Sequence, residues 1–421
     1  MTTTGLRPAP AGVGRPAHRD GNVLRWLGAY TASMVGDSVY FVALSWAATR
    51  TGSPAQAGLV LAVGAVPRAV LMLGGGVVAD RFGPRRVVIA SDTVRCLVIL
   101  GVAALLLLTA PGIWALTLVA LVFGAVDALF LPSVGTLPAR ITAPGQLARV
   151  QGMRGVAARV ATVAGGPLGG LAVATGGSSA AFGAAGLLFA VSLALLLAVR
   201  VGELPGDGTR DPEPGGRFGG AGKELGDGLR YIRGHRVLAP LMLVTAVIEL
   251  GFAGPANIGL VLLAEERGWG ASGQGWILAG FGAGAGLASL LLAVRGRVPR
   301  AGTVLSLAAL PGTAALAALG LVPSVAGAVV AAVLLGLLIG LSGALCGALA
   351  QTVTYPAYLG RVTAVGSLFT LGIAPLTYPA VGAAIGAWGV EAVFAGCAAL
   401  SAAGGVLGLC SRPLRRAELP R

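Results

Sequence analysis

Hydrophobic residues are distributed along this chain in twelve long stretches that short polar connections separate. The stretches begin near Leu24, Gln56, Val87, Ile113, Val150, Ala180, Val237, Gly273, Thr303, Ser324, Val362 and Val390. Each stretch is about 20 residues long, which is the length that a helix needs to cross about 30 Å of hydrocarbon. The pattern predicts an all-α integral membrane protein with twelve transmembrane helices.

One polar segment, residues 201–236, is much longer than the other connections and divides the stretches into two sets of six. Within it, Leu225, Leu229 and Ile232 recur at helical spacing among basic residues, which predicts an amphipathic helix. The predicted organisation is a cytoplasmic tail over 1–22, a six-helix bundle over 23–200, the linker over 201–236, a second six-helix bundle over 237–411 and a tail over 412–421.

Composition and charge agree with a membrane protein. Hydrophobic residues make up 56% of the 421 residues and charged residues 11%, whereas charged residues are about a quarter of a soluble protein. Most of the 30 Lys and Arg residues lie in connections that share one side of the membrane with both termini, and such connections are usually cytoplasmic. We therefore predict a multi-pass plasma membrane protein with cytoplasmic termini. Attraction to anionic lipid explains the net charge of +14 better than nucleic acid binding, which needs a clustered basic face.

A short motif connects the second and third stretches. It reads Gly76-Val-Val-Ala-Asp80-Arg81-Phe-Gly83-Pro-Arg85-Arg86. The string resembles the cytoplasmic loop signature of the major facilitator superfamily of secondary transporters, and Pro84 is its unusual position. The resemblance implies the major facilitator fold, in which two six-helix bundles enclose a central cavity.

The same resemblance implies that Asp80 caps the start of the eleventh helix, near Gly360 and Arg361, in one of two conformations. A carboxylate at a helix N-terminus stabilises the conformation in which the contact forms by about 0.3–1 kcal/mol. Asp80 is therefore predicted to act as a gating latch; the alternative is that it is a solvated loop residue.

Further strings resemble the branch of drug and siderophore exporters that includes macrolide-efflux proteins and the enterobactin exporter. They are Gly36-Asp37-Ser38, Ala65-Val-Pro67-Arg68, Ser91-Asp92-x-x-Arg95 and Gly228-Leu-Arg230-Tyr231-Ile-Arg233. In the fifth stretch, the string containing Gly166, Pro167, Gly169 and Gly170 resembles the Gly-Pro motif of superfamily antiporters. The usual motif has two residues between the proline and the glycine pair; here there is one, or else Leu171 replaces the second glycine. Proline and flanking glycines permit bending and close contact, so we predict a pivot there.

Seven ionisable residues lie inside the apolar stretches: Asp37, Arg68, Asp92, Arg95, Asp127, Arg159 and Glu249. Each costs at least about 2.5–3.5 kcal/mol at the centre of a membrane helix, so each indicates a function or a partner. Their depths predict the pairs Asp37 with Arg68, Asp92 with Arg95, and Asp127 with Arg159. These pairs would neutralise the first half completely.

Glu249 is the ionisable residue without a predicted partner, and its depth matches that of Asp37 in the first half. In the fold that the resemblance implies, the two helices carrying them line the central cavity. The protonation state of a buried carboxyl group depends on its burial and on nearby charges. Protonation of the carboxyl can therefore alternate with substrate occupancy. Glu249 is the first choice for a proton-coupling site and Asp37 the second. The alternatives are a fixed Asp37–Arg68 ion pair and a permanently protonated Glu249.

The sequence thus predicts a secondary active transporter that exports small amphipathic molecules, such as drugs or secondary metabolites, by proton antiport with alternating access. Its partners are substrate, protons and membrane lipid, and it is predicted to be monomeric. Asn257, Gln351 and Tyr378 are candidate cavity residues. The alternatives are a metabolite importer or facilitator of the same fold and a membrane sensor that does not transport.

The sequence lacks the motifs for catalysis and cofactor binding that would predict an enzyme. His18 and His235 lie in predicted cytoplasmic segments, and no glycine loop ends in Lys-Ser or Lys-Thr as an ATP site requires. The four cysteines lack CxxC spacing, so neither a disulfide framework nor a metal site is predicted. We expect that the protein needs no cofactor and that an ion gradient supplies the energy for transport.

Overall fold

The computed structural model describes residues 17–109, 111–142, 146–200, 218–295, 298–355, 358–370 and 374–418. These ranges are helical, with no strand among them. Most of the predicted N-terminal tail and the first part of the predicted linker, residues 201–217, lie outside the described residues.

The helices of the first half come before residue 201. They are α1 (Gly21–Thr51), α2 (Pro54–Phe82), α3 (Pro84–Leu108), α4 (Ile113–Thr136), the short α5 (Pro138–Ile141) and α6 (Leu147–Leu197). The remaining helices are α7 (Phe218–Gly234), α8 (Leu238–Gly254), α9 (Leu260–Glu266), α10 (Gly270–Arg295), α11 (Ala301–Leu321), α12 (Val325–Val353), α13 (Leu359–Leu368), α14 (Thr377–Cys410) and α15 (Arg412–Arg415).

Glycines divide two of the long helices into two crossings each. In α6 the backbone leaves the helical region at Gly176 and Gly177, and in α14 it does so at Gly389. Gly177 and Gly389 have φ of 71° and 80°, a region that glycine enters readily. A π-helical turn, Pro255–Gly259, joins α8 to α9. With these breaks the described helices accommodate the twelve predicted segments, and nine of the described helical segments are long and apolar enough to span a membrane.

Two connections of α2 define the two ends of the molecule. At the Ser53 end, the Ser53 hydroxyl accepts a hydrogen bond from Gln56 N at 3.3 Å, and the Gln56 side chain accepts one from Ser53 N at 2.9 Å. This capping box, with Pro54 in the first turn, starts α2. At the Gly83 end, Gly83 has φ of 83° and turns the chain directly into α3.

The two halves approach each other most closely through glycines near the Ser53 end. A Cβ atom on Gly166 would lie 2.8 Å from the Gly275 carbonyl oxygen, and one on Gly170 would overlap the carbonyl oxygen of Ala271. Likewise, a Cβ atom on Gly58 of α2 would overlap the Tyr378 carbonyl of α14. Small residues let helices approach to backbone contact in lipid, where burying apolar side chains gives no driving force.

The predicted amphipathic helix corresponds to α7, which docks on α13. Tyr231 stacks on Tyr358 with ring centroids 4.3 Å apart, and its hydroxyl accepts a hydrogen bond from Tyr355 N at 3.1 Å. Ile232 is buried, whereas Leu229 is exposed. The helix therefore packs one side on the second half and leaves an apolar residue at its surface.

Candidate functional site

Arg95 of α3 lies at the centre of a cluster of acidic side chains. Its side chain is 0% exposed, and its nitrogen atoms lie 2.9 Å from Asp37 Oδ1, 3.4 Å from Asp92 Oδ1 and 3.9 Å from Asp127 Oδ1. The guanidinium carbon also lies 3.7 Å from the centre of the Phe130 ring. One arginine thus connects α1, α3 and α4 through charge.

Two of the three predicted ion pairs are different in the structure. Arg68 Nε lies 2.9 Å from Asp127 Oδ2, so Arg68 pairs with Asp127 rather than with Asp37. Arg159 does not pair with Asp127 but donates a hydrogen bond to Ser289 Oγ of α10 at 2.9 Å, across the two halves. Depth along a helix is set by sequence, whereas the direction a side chain faces depends on packing, which the spacing of charges does not encode. The Asp92–Arg95 contact is as expected.

The position of Arg159 changes the charge of the cluster. Three aspartates share two arginines within the ion-pair network, so full ionisation leaves one excess negative charge. The first half is therefore not neutralised completely by these pairs. An excess charge in a low-dielectric site is costly, and a bound proton or a cation would remove that cost.

Asp92 also accepts a hydrogen bond from Ser192 Oγ of α6, with the oxygen atoms 2.5 Å apart. Replacing Ser192 with alanine leaves one oxygen of this buried carboxylate without its donor, a loss of about 1–3 kcal/mol. We expect the temperature of unfolding of the detergent-purified protein to fall. Ser179→Ala, which removes a hydroxyl that bonds only within its own helix, should leave that temperature nearly unchanged.

Beside this cluster lies a cavity of about 290 Å³, the charged lobe, lined by both halves. Arg68 and Asp127 line it from the first half, and Glu249, Asn257 and Tyr378 from the second. Within the described part of the chain, Glu249 has no ion-pair partner within 4 Å. The arrangement places a single carboxylate opposite an ion-pair network.

A second cavity of about 340 Å³, the apolar lobe, adjoins the charged lobe. The two lobes share Phe41, Leu61, Phe252 and Asn257 in their walls. Gln351 instead lines a third cavity of about 480 Å³ between α8, α12 and α13, which Glu249 also borders. Of the three predicted cavity residues, Asn257 and Tyr378 line the charged lobe and Gln351 does not.

The residues of the predicted gate are described only in part. Gly76, Asp80 and Arg81 belong to α2, but their side chains lie outside the described residues, so the latch stays a prediction. Arg85 donates to the Leu197 carbonyl oxygen at 3.2 Å, Arg86 is exposed at the start of α3, and Arg361 of α13 lies over the Tyr358 ring.

The Gly-Pro motif of α6 lies between the two halves. Gly166 and Gly170 face α10, whereas Gly169 packs on Val39 and Val42 of α1. The backbone at Pro167 stays helical, since the break in α6 is at Gly176 and Gly177. The motif thus provides close contact here, and its action as a pivot stays a prediction.

Sequence reasoning missed two polar side chains, Ser192 and Gln274. Both occupy apolar stretches and are buried, at 0% and 3% exposure. Their uncharged polar groups gave too weak a signal among the other Ser and Gln residues. Within the described ranges, no three His, Cys, Asp or Glu side chains converge to hold a metal ion.

Comparison with known proteins agrees with this geometry. A sequence model of the family described as Major Facilitator Superfamily matches residues 26–371. The multidrug efflux pump Tap of Mycobacterium tuberculosis and of Mycobacterium bovis is 28% identical over 220 residues, which is 51% of each chain. This chain therefore spans about half the length of the curated relatives it matches.

Solved structures of transporters share the fold. The nucleoside transporter NupG has a TM-score of 0.73 at 14% identity, with 93% of this chain and 98% of that chain covered. A POT family transporter in complex with 5-aminolevulinic acid has a TM-score of 0.73 at 13% identity, with 97% and 98% covered. At these identities the likeness shows the fold alone. The matching family model, the two-half helical fold and the cavity between the halves establish that this chain is a membrane transporter and belongs to the Major Facilitator Superfamily.

Proposed function

We propose that the protein exports small amphipathic molecules across the plasma membrane in exchange for protons, by alternating access. The observation that carries the proposal is the carboxylate of Glu249, which lines a largely apolar cavity between the halves without an ion-pair partner among the described residues. An ionisable group at such a site marks a substrate or proton pathway in membrane proteins. The similarity to a multidrug efflux pump supports export.

In this mechanism Glu249 exchanges a proton for substrate. When Glu249 is ionised, the charged lobe attracts a substrate that carries a positive or polar group. When a proton binds to Glu249, that attraction is lost. The protein can then return to the conformation in which the cavity opens to the other side of the membrane. Asp37 is the second proton site, because it belongs to the cluster that carries the excess negative charge.

Alternating access requires the close contacts at the Ser53 end to open and re-form. Gly166 and Gly170 against α10, and Gly58 against α14, hold the halves together there, aided by Arg50 Nε at 3.8 Å from Glu265 Oε1. We propose that the Ser53 end faces outside and that both termini are cytoplasmic. The proposed latch between Asp80 and the start of α13 would then control the opposite, cytoplasmic gate in a protein that acts as a monomer.

Replacing Glu249 with glutamine is expected to abolish substrate-driven proton movement, because glutamine cannot release a proton. The measurement is proton flux in proteoliposomes when hydrophobic cationic, neutral and anionic compounds are added. Glu266→Gln is the matched control, because Glu266 is exposed at the end of α9 and lines none of the three cavities. This control should retain coupling.

Other outcomes of the same assay separate the alternatives. If proton coupling survives in Glu249→Gln, the proton site is assigned to Asp37 instead. Transport without proton movement would contradict antiport and favour a facilitator. Substrate movement only toward the cytoplasmic side would favour an importer.

A further inference from the structure

One polar side chain of the apolar lobe has an amide oxygen without a hydrogen-bond partner among the described residues. Gln274 of α10 is 3% exposed, and its amide oxygen is buried without a hydrogen bond to any described residue. The other polar side chains of the lobe donate to carbonyl oxygens of their own helices: Ser38 to Met34, Ser45 to Val42, Thr162 to Ala158 and Asn257 to Ala253. Buried polar groups are nearly always hydrogen-bonded, so the unpaired amide needs an explanation.

The surroundings of Gln274 are those of a ligand site. The lobe has a volume of about 340 Å³, which lies within the range of small-molecule pockets, about 300–1,000 Å³. Phe252 and Phe281, whose ring centroids are 5.6 Å apart, form part of its wall. Pockets for organic molecules are usually apolar with a few polar groups that fix orientation. Gln274 is a candidate for such a group, because it lines the lobe and its amide oxygen accepts no hydrogen bond from a described residue.

The charged lobe supplies a complementary end. Glu249, which has no ion-pair partner among the described residues, lines it, and Tyr40 and Phe41 contribute aromatic rings, whose faces attract cations. Because both lobes share Phe41, Phe252 and Asn257, one molecule can occupy the two together. Its apolar body would then fill the first lobe while a cationic group lies near Glu249.

We propose that Gln274 determines substrate specificity by hydrogen-bonding a neutral hydroxyl or amide group on the apolar body of a cationic amphipathic substrate. This inference rests on the proposed function, because it names the substrate class of the same cavity. A ligand without that group leaves the buried amide unpaired. A site built to hydrogen-bond a substrate group discriminates against the analogue that lacks it.

The test is equilibrium binding of two probes to the detergent-purified protein by calorimetry. The probes are tetraphenylphosphonium and (4-hydroxyphenyl)triphenylphosphonium, which differ by one hydroxyl. A hydrogen bond contributes about 0.5–1.5 kcal/mol net, so the hydroxylated probe should bind roughly 2- to 10-fold more tightly. Gln274→Leu should remove this preference. Gln151→Leu, the same change at an exposed position of α6, should keep the preference. Glu249→Gln should lower the affinity for both probes by the same factor.

Stability provides an independent measurement. If Gln274 has no partner in the free protein, Gln274→Leu should unfold at the same or a higher temperature, because no hydrogen bond is lost. A clear loss of stability would show a structural role and overturn the inference. Equal affinities for the two probes in the parent, no binding of either probe, or a preference that persists in Gln274→Leu would also overturn it. If the parent protein shows no substrate-driven proton movement but keeps the hydroxyl preference, only the proposed antiport is contradicted.

Discussion

Replacing Arg95 with methionine is expected to destabilise the protein more than any other single substitution of the charge cluster. Methionine has a similar length and fits an apolar environment, but it leaves Asp37, Asp92 and Asp127 with Arg68 as their remaining cation in the network. Removing one partner of a buried ion pair typically costs about 3–5 kcal/mol, because the other charge stays buried without compensation. We expect little folded protein after extraction into detergent, as measured by size-exclusion chromatography and thermal unfolding.

Two further variants make this prediction specific to charge. Arg159→Met is the matched control, because Arg159 donates to Ser289 and belongs to no described ion pair; its loss of stability should be much smaller. Adding Asp92→Asn to Arg95→Met removes one uncompensated carboxylate and should recover part of the lost stability. Equal stability of Arg95→Met and the parent would contradict a structural role for the network.

Replacing Gly170 with valine is expected to abolish transport while leaving a folded protein. A Cβ atom at Gly170 would overlap the Ala271 carbonyl oxygen of α10, so the two halves could not reach their present contact. Overpacking of this kind costs about 1–3 kcal/mol, and an energy difference of that size changes the ratio of two conformations about 5- to 150-fold. Because α6 and α10 belong to different halves, the core of each half should be unaffected.

The conformational shift can be measured at the Ser53 end. The side chains of Arg50 and Glu265 lie close enough for an ion pair, at 3.8 Å. A bifunctional thiol reagent long enough to span the two side chains should therefore join cysteines introduced at both positions in the parent, and should join them poorly when Gly170→Val is added. Gly155→Val is the matched control on the same helix, since a Cβ atom there meets no atom within 4 Å. Normal transport in Gly170→Val would show that the contact is not part of the cycle.

The sequence determined where each helix lies along the chain. The stretches that begin near Ile113 and Thr303 correspond to α4 and α11, which begin at Ile113 and Ala301. These positions are predictable because the bilayer demands about 20 apolar residues for every crossing. The same counting predicts the depth of the intramembrane charges, since a residue advances about 1.5 Å along its helix.

The partners of those charges depended on the tertiary structure. Asp127 contacts Arg68 and Arg95 rather than Arg159, because α4 packs beside α2 and α3 while Arg159 faces α10. Neighbour order and the rotation of each helix come from the fit of small residues, such as Gly170 against Ala271. No count along the chain encodes that fit.

The candidate site divides in the same way. The sequence by itself determined the family and the helical segments, and it singled out Glu249 as the ionisable residue without a predicted partner. Only the tertiary structure decided that Glu249 and Arg68 line one cavity, that three aspartates share two arginines, and that the buried amide oxygen of Gln274 has no hydrogen-bond partner among the described residues. The physical reason is that hydrophobicity acts on each segment separately, whereas ion pairing and polar satisfaction depend on atoms that different helices bring together.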